Sequence, residues 1–169
     1  MVFEAKTVIP IAIFCGGCFF NVVLEKVKSK HQLSHSIIEK RANIYAEIQE
    51  DLNNIYSYIK RVGKWKDLTP EQIIECKRKV DQKIYSTKPY WSKEMFKSYN
   101  GFMKTCFETN RGHAQNAGII AEIDKYKEKE LWSSDFEAYF SKNDYDEGQL
   151  DWANNKLMDA LSKDFGVDV

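Results

Sequence analysis

An apolar stretch near the N-terminus limits the structures that this chain can adopt more than any other feature of its sequence. Residues 7–24 read TVIPIAIFCGGCFFNVVL, and these eighteen residues carry no charged side chain. As a helix they span about 27 Å, close to the roughly 30 Å of hydrocarbon in a bilayer. Buried helices of soluble proteins seldom lack a polar stripe over that length. We therefore predict a transmembrane anchor with its basic flank in residues 1–30, followed by a separate domain in residues 31–169.

Two processed forms of this stretch fit the residues less well. A cleaved signal peptide has a basic start and an exit of small residues, whereas this chain starts MVFEAK and lacks such an exit. A lipoprotein site at Cys18 does not need the apolar residues that continue beyond it. An uncleaved helix that crosses the bilayer once is the favoured interpretation.

The basic residues around the stretch predict its orientation. Lys6 alone precedes it, whereas several basic residues follow it within about twenty positions. They are Lys26, Lys28, Lys30, Lys40 and Arg41. Their position predicts that the following domain is cytoplasmic, and near an anionic membrane surface each adds about 1 kcal/mol of attraction. The lipid bilayer is thus a predicted partner, although retention by the positive-inside rule alone explains the same residues.

Small and polar residues inside the stretch predict self-association. Ala12 and Gly16 are four positions apart, a spacing that lets two membrane helices approach closely. Asn21 adds a polar group that is costly in lipid without a partner. The alternative is a lone anchor, because small residues are common there too. Cys15 and Cys18 have the spacing of redox sites, but we interpret them as apolar thiols, since redox chemistry needs an aqueous face.

The rest of the chain has the apolar spacing of amphipathic helices. From residue 37 onward apolar residues recur every three or four positions, which predicts a helix that ends near Gly63. Thr69 with Gln72 forms a capping box for a second helix, and Ser92 caps a third that ends at Gly112. Residues 149–165 form the last helix. No strand is predicted, so the fold class is all-α, a bundle of about four main helices on a membrane stalk.

Two features of this domain allow more than one interpretation. Residues 110–118, NRGHAQNAG, resemble a loop, and IIAEIDKYKEKE after it predicts either a short helix or an extended arm. Several aromatic residues cluster near predicted turns: Trp65, Tyr90, Trp91, Trp132 and Trp152. The usual role of such residues is to pack helix ends onto the core, and a subset at one end is suited to a docking groove.

Three stretches of the domain carry a resemblance to known proteins. YAEI at residues 45–48, LNNIYSYI at residues 52–59 and WKDLTP at residues 65–70 form the pattern. It resembles a family of uncharacterised bacterial proteins with one N-terminal transmembrane helix and a helical domain. The resemblance covers about residues 40–165 and implies a bacterial origin, but it implies no activity. With the orientation above, it places the chain in the bacterial inner membrane as a single-pass protein with a cytoplasmic C-terminal domain.

The best candidate for a small polar site is the loop after the third helix. It contains Asn110, Arg111, His113, Gln115 and Asn116. His113 can act as an acid or base, and Arg111 can hold a carboxylate or phosphate. The alternative is a helix end whose polar side chains satisfy backbone groups. Cys106 lies seven positions before His113, so the sequence leaves open a Cys–His pair, although its place on an apolar stripe favours a core thiol.

Other kinds of site have weaker support in the sequence. His31 and His35 share a helical spacing, but no third metal ligand is near them. Residues 143–148 fail the calcium-loop pattern because Tyr145 and Asn154 occupy ligand positions. The chain has 25 basic and 25 acidic residues, so its net charge of zero argues against a nucleic-acid binder. We predict no metal, no cofactor and no nucleic-acid partner.

Three hypotheses for function follow. The first is a membrane-anchored helical interaction or regulatory protein, without catalytic activity of its own, that binds a protein partner or forms a homo-oligomer. The second is a membrane-acting effector, of an antiphage or toxin type, that assembles through its transmembrane helix. The third is an enzyme that uses Cys106, Arg111 and His113.

Overall fold

The fold is given by a computed structural model, which describes residues 8–109 and 116–167, with side chains described for residue 32 and from residue 34 onward. The chain divides into two compact units, Met1–Glu39 and Lys40–Val169. The described part of the first unit belongs to helix α1. The second unit contains the end of α1 and the elements that follow it.

The described residues are mostly helical, as the sequence predicts. The helices are α1 (Val8–Lys60), α2 (Pro70–Ser86), α3 (Lys93–Cys106), α4 (Asp124–Lys127) and α5 (Glu147–Asp164). Short 3₁₀ turns occur at Trp65–Asp67, Lys88–Tyr90 and Ser134–Tyr139. Two short strands, β1 (Phe107–Glu108) and β2 (Gly118–Ile119), pair antiparallel. The predicted all-α class is therefore confirmed in its coarse form, with a small sheet added.

Helix α1 is continuous through the polar joint that follows the apolar stretch. It runs for 53 residues, and the joint contains neither Pro nor Gly to interrupt it. In the second unit it buries a row of side chains against the core, spaced three or four positions apart, with Tyr58 buried beside Ile59. The row is Ile44, Ile48, Leu52, Ile55 and Ile59. The amphipathic helix predicted from this spacing is confirmed.

The predicted location in the bacterial inner membrane is wrong by the criterion of helix length and apolarity. Among the described residues, no helix combines the length and the apolar character needed to cross a membrane. The described side chains of α1 include the exposed Glu39, Lys40 and Glu47, and hydrocarbon excludes such charges, so this part of the helix cannot lie in a membrane. The side chains of the other predicted membrane residues lie outside the described ones: Ala12, Gly16, Asn21, Lys26, Lys28 and Lys30.

The end of α1 lies earlier than the sequence predicts. Lys60 is its last residue, and Arg61 adopts a left-handed conformation with φ of 61°. The N–H of Val62 donates to the Ser57 carbonyl at 3.0 Å, which closes the last turn. Gly63, the predicted stop, also has φ of 61°, so the chain turns sharply over both positions.

Local capping signals fix the starts of the next helices. The Thr69 side chain accepts from the Gln72 N–H, and the Gln72 side chain accepts from the Thr69 N–H at 2.8 Å. The Ser92 side chain accepts from the Met95 N–H at 3.0 Å and so caps α3. Both predicted helix starts are confirmed.

Helix α3 ends before the predicted stop at Gly112, and the chain becomes extended. Phe107 pairs with Ile119 in the short sheet, and Ile119 also bridges to Phe140 in parallel. Phe107, Ile119 and Phe140 are all buried, so tertiary packing of these side chains favours the extended form over another helical turn. The sequence left two alternatives for the segment after the loop, a short helix or an extended arm. The structure contains both, because the short strand β2 is followed by the single turn of α4.

Hydrogen bonds of Arg41 and Asp164 join α1, α3 and α5. Asp164, buried at the end of α5, accepts from the Ser92 N–H at 2.9 Å, so the start of α3 lies at the end of α5 and the two helices are antiparallel. The Arg41 guanidinium donates to the carbonyls of Asp164 and Tyr90, each at 2.6 Å. Arg41 therefore has a structural role in the fold, while Lys40 beside it is exposed.

Candidate functional site

The predicted polar loop lies almost entirely outside the described residues. Asn110, Arg111, His113 and Gln115 are among the residues left undescribed. Asn116 is exposed, and its side-chain oxygen accepts from the Arg78 guanidinium at 2.6 Å. This hydrogen bond connects the C-terminal end of the loop to α2.

The thiol of Cys106 is placed in the core of the second unit. Its side chain is fully buried on α3, and burial raises the pKa of the Cys106 thiol well above its usual value. Burial likewise raises the pKa of the Cys76 thiol to about 12. Both cysteines are free. Protonated, buried thiols are poor nucleophiles, so this placement favours the core role over the catalytic one.

A lysine ammonium is held by aromatic rings and carbonyls beside a cavity of about 630 Å³. Lys129 Nζ donates to the Leu68 carbonyl at 2.6 Å and to the Trp65 carbonyl at 3.2 Å. It also lies 5.1 Å from the centroid of the Tyr58 ring and 5.4 Å from that of Trp65. Burial lowers the pKa of Lys129, but the carbonyls and ring faces favour the charged form. These contacts of the Lys129 ammonium have a structural role, because they hold the 3₁₀ turn at Trp65–Asp67 against the core.

A second polar cluster joins the end of α1 to the start of α5. Lys60 Nζ donates to Asp151 and to Glu147, each at 2.6 Å, and the Tyr56 hydroxyl donates to Asp151 at 2.9 Å. The hydrogen bonds from Lys60 and then Tyr56 lower the pKa of Asp151. The same carboxylates, Asp151 first, raise the pKa of Lys60. These groups satisfy each other, so the cluster is an ion-pair network between two helices.

The described residues include no cluster that resembles a metal centre. Across residues 8–109 and 116–167, no three side chains of His, Cys, Asp or Glu are placed together to hold an ion. His35 is exposed on α1.

The arrangement best suited to binding is a groove between α3 and α5 with a volume of about 510 Å³. We call it the α3–α5 groove. Its walls come from Glu94, Lys97, Ser98 and Gly101 of α3 and from Trp152, Lys156, Asp159 and Lys163 of α5. Positions three or four apart share one face of a helix, so each wall is a single row of side chains. Phe102 and Ala153, both buried, form its floor.

Trp152 distinguishes this groove from the rest of the surface. Its side chain is 61% exposed, whereas Trp91 is 7% exposed. Trp65 and Trp132 are partly buried, and each packs against rings of the core, Tyr126 and Phe140 respectively. Tryptophan is enriched among the residues that dominate binding energy at protein interfaces. An exposed tryptophan at a groove therefore points to a binding surface.

The charges of the groove are arranged in local pairs. Lys163 Nζ lies 3.0 Å from a Glu94 carboxylate oxygen, and this contact raises the pKa of Lys163. Lys156 Nζ lies 4.7 Å from the centroid of the Trp152 ring, which places a cation over the indole face. Such a surface offers an apolar centre and charged flanks to a protein partner.

The sequence anticipated this groove only in part. Trp152 belongs to the aromatic set that the sequence predicts for helix ends or a docking groove, and it is the member of that set that lines this groove. Lys97, Gly101 and Lys156 were missed because they meet only when α3 packs on α5. One signal was present in the sequence: Trp152 lies on the polar side of α5, away from the buried row that includes Leu150 and Leu157.

Comparisons of the chain with models of known protein families, with curated proteins and with solved structures found no match. The resemblance to a bacterial family stays a prediction.

Proposed function

We propose that this protein is a helical interaction or regulatory module, without catalytic activity of its own, that binds a protein partner in the α3–α5 groove. The observation that carries the proposal is the exposed indole of Trp152 at this groove. Burying an aromatic side chain of this size against a partner contributes about 2–3 kcal/mol.

The position of Trp152 makes it suitable as the anchor of such a contact. Phe102 and Ala153 lie beneath the groove and are buried, so the indole itself supplies the exposed apolar surface. Lys97 and Lys156 are exposed at the same groove. An apolar anchor supplies affinity, and a charged rim supplies orientation and rate of association.

Site-specific photocrosslinking in the native host tests this proposal. The full chain carries a benzophenone amino acid at Lys156 in the groove, and a matched variant carries it at Lys79, which is exposed on α2. We expect a discrete crosslinked species from position 156 that is missing from position 79. Adding Trp152→Ala should remove that species while the thermal unfolding of the chain stays cooperative.

Two outcomes of this experiment would contradict the proposal. If positions 156 and 79 give the same crosslinks, or if Trp152→Ala leaves the species at position 156 unchanged, the groove is not the binding surface.

A further inference from the structure

Three exposed lysines line a pocket where the 3₁₀ turn after α2 meets the start of α3. Lys88 belongs to that turn, and Lys93 and Lys97 lie about one helical turn apart on α3. Together with Pro89 and Phe96 they line a pocket of about 580 Å³. We call these three lysines the α3 basic surface. The pocket is separate from the α3–α5 groove except at Lys97, which lines both.

The positive charges of the α3 basic surface have no acidic counterpart. No carboxylate lines the pocket, and within the described part of the chain none of the three lysines forms an ion pair. Glu94, which follows Lys93, pairs instead with Lys163 at 3.0 Å. Asp164 accepts from the N–H of Ser92, another residue of the pocket, at 2.9 Å. Because uncompensated like charges repel each other, an anionic partner is favoured at this surface.

The apolar part of the pocket strengthens such a contact. Lys88 Nζ lies 4.6 Å from the centroid of the Phe96 ring, which holds the ammonium at the pocket. Pro89 is exposed and Phe96 is half-buried, so apolar atoms replace water on one side of this charge. An ion pair in these surroundings is stronger than one in open solvent, because the local dielectric is lower.

The spacing of two of the lysines matches that of an extended peptide. Lys93 and Lys97 are four residues apart on α3, which corresponds to a rise of about 6 Å along the helix. In an extended chain, side chains two residues apart lie on the same side and are about 7 Å apart along the strand. Carboxylates at alternate positions of an extended peptide can therefore contact both ammonium groups.

The aromatic rings of the pocket are less suited to a nucleic acid. A single strand binds where its bases can stack on exposed ring faces. The Phe96 ring already contacts Lys88 Nζ and the ring of Tyr85, which lies 5.2 Å away in an edge-to-face arrangement. Trp91 lines the pocket but is buried. These rings are engaged within the fold, whereas the lysines are available to an anion.

We infer that the α3 basic surface binds an acidic peptide segment of a partner protein, in extended form and with carboxylates at alternate positions. This surface is additional to the proposed binding site. Its partner is selected by charge and spacing, and it does not depend on the occupant of the α3–α5 groove.

Fluorescence anisotropy of a labelled peptide, titrated with the full chain, tests this inference. The probe carries glutamate at alternate positions with serine between them, and its control carries glutamine in place of each glutamate. We expect the glutamate peptide to bind about tenfold more tightly, because the glutamine peptide lacks the ionic contacts with the three lysines. Raising the ionic strength should reduce this difference.

Matched pairs of substitutions locate the bound peptide. Lys88→Gln with Lys93→Gln should weaken binding of the glutamate peptide about fivefold, because two charges of the surface are lost. Lys88→Arg with Lys93→Arg keeps both charges and should retain binding. Lys79→Gln with Lys104→Gln removes the same net charge from exposed positions outside the pocket and should change binding less than twofold. Thermal unfolding at the wild-type temperature checks that each variant is folded.

Several results would overturn the inference. They are equal binding of the two peptides, equal weakening by the two glutamine variants, and loss of binding in the arginine variant. Tighter binding of a labelled oligothymidylate than of the glutamate peptide would assign the surface to a nucleic acid instead. Because Lys88 and Lys93 do not line the α3–α5 groove, photocrosslinking at position 156 tests the proposed function separately.

Discussion

Two buried tyrosines of the core differ in what their hydroxyl groups contact. The Tyr126 hydroxyl donates to the Tyr58 carbonyl at 2.8 Å, and its side chain is fully buried. The Tyr58 hydroxyl is also buried, yet it has no hydrogen-bond partner among the described residues. Burial raises the pKa of both phenols, so both stay neutral. The same atom type therefore stabilises the fold at one position and costs free energy at the other.

Phenylalanine at each position separates these two effects. We expect Tyr126→Phe to lower the free energy of unfolding by about 1 kcal/mol, because a buried hydrogen bond is lost. Tyr58→Phe removes an unsatisfied hydroxyl and should leave the free energy of unfolding unchanged or raise it. Denaturant unfolding of both variants measures the difference. Equal destabilisation by the two changes would contradict this account of the Tyr58 hydroxyl.

At the scale of secondary-structure elements, two glycines differ in backbone conformation, because Gly63 has a positive φ and Gly101 is helical. Gly63 follows α1 with φ of 61°, a conformation that side-chain-bearing residues rarely adopt. Gly101 lies inside α3, is exposed, and has open space where a Cβ would be. Glycine is therefore favoured at position 63 in the turn after α1, and glycine at position 101 lowers the intrinsic stability of α3.

Alanine substitution at these glycines should have opposite signs. Gly101→Ala should raise the free energy of unfolding by about 0.5–1 kcal/mol, because alanine loses less backbone entropy in a helix. Gly63→Ala should lower it by about 1 kcal/mol, because alanine is strained at positive φ. Thermal unfolding of the two variants, measured side by side, checks both signs. Destabilisation by Gly101→Ala would show that a contact closes over this position.

The start of α2 depends on its capping box. Thr69→Ala removes the acceptor for the Gln72 N–H, which leaves a helix donor without its side-chain partner. We expect a loss of about 1 kcal/mol in the free energy of unfolding, and Thr69→Ser should restore most of it. Chemical denaturation followed by circular dichroism measures both variants. A loss that serine fails to restore would assign the effect to the threonine methyl group.

At the scale of the whole molecule, the network of Lys60, Tyr56 and Asp151 links the stability of the fold to pH. These hydrogen bonds lower the pKa of Asp151 in the folded state. A carboxylate with a lowered folded pKa contributes stability above its unfolded pKa of about 4. That contribution is lost as the pH falls through the folded pKa.

Asp151→Asn should therefore flatten the acid side of the stability curve. The wild type should lose more thermal stability than the variant between about pH 5 and pH 2. Lys60→Met should flatten the curve in the same range, and the effect of the double variant should be smaller than the sum of the two single effects, because both changes remove the Lys60–Asp151 contact. Additive effects in the double variant would contradict the coupling of Lys60 and Asp151.

Features that depend on neighbours along the chain are predictable from the sequence alone. The caps at Thr69 and Ser92 act over three residues, and the buried row of α1 follows from a period of three to four, so both were predictable. The mostly helical class follows from the same periodicity. Apolarity of residues 7–24, taken alone, led to the location in the membrane that the described helices contradict.

The tertiary structure decided the features that depend on residues far apart in the chain. Phe107 leaves the helical pattern because it pairs with Ile119, and Arg41 is fixed because it reaches the end of α5. The candidate groove belongs to this class: Gly101 and Trp152 are 51 positions apart and meet only when α3 and α5 pack antiparallel. Local propensity encodes where a helix begins, whereas the contacts between helices arise from packing of the whole core, which no short stretch of sequence specifies.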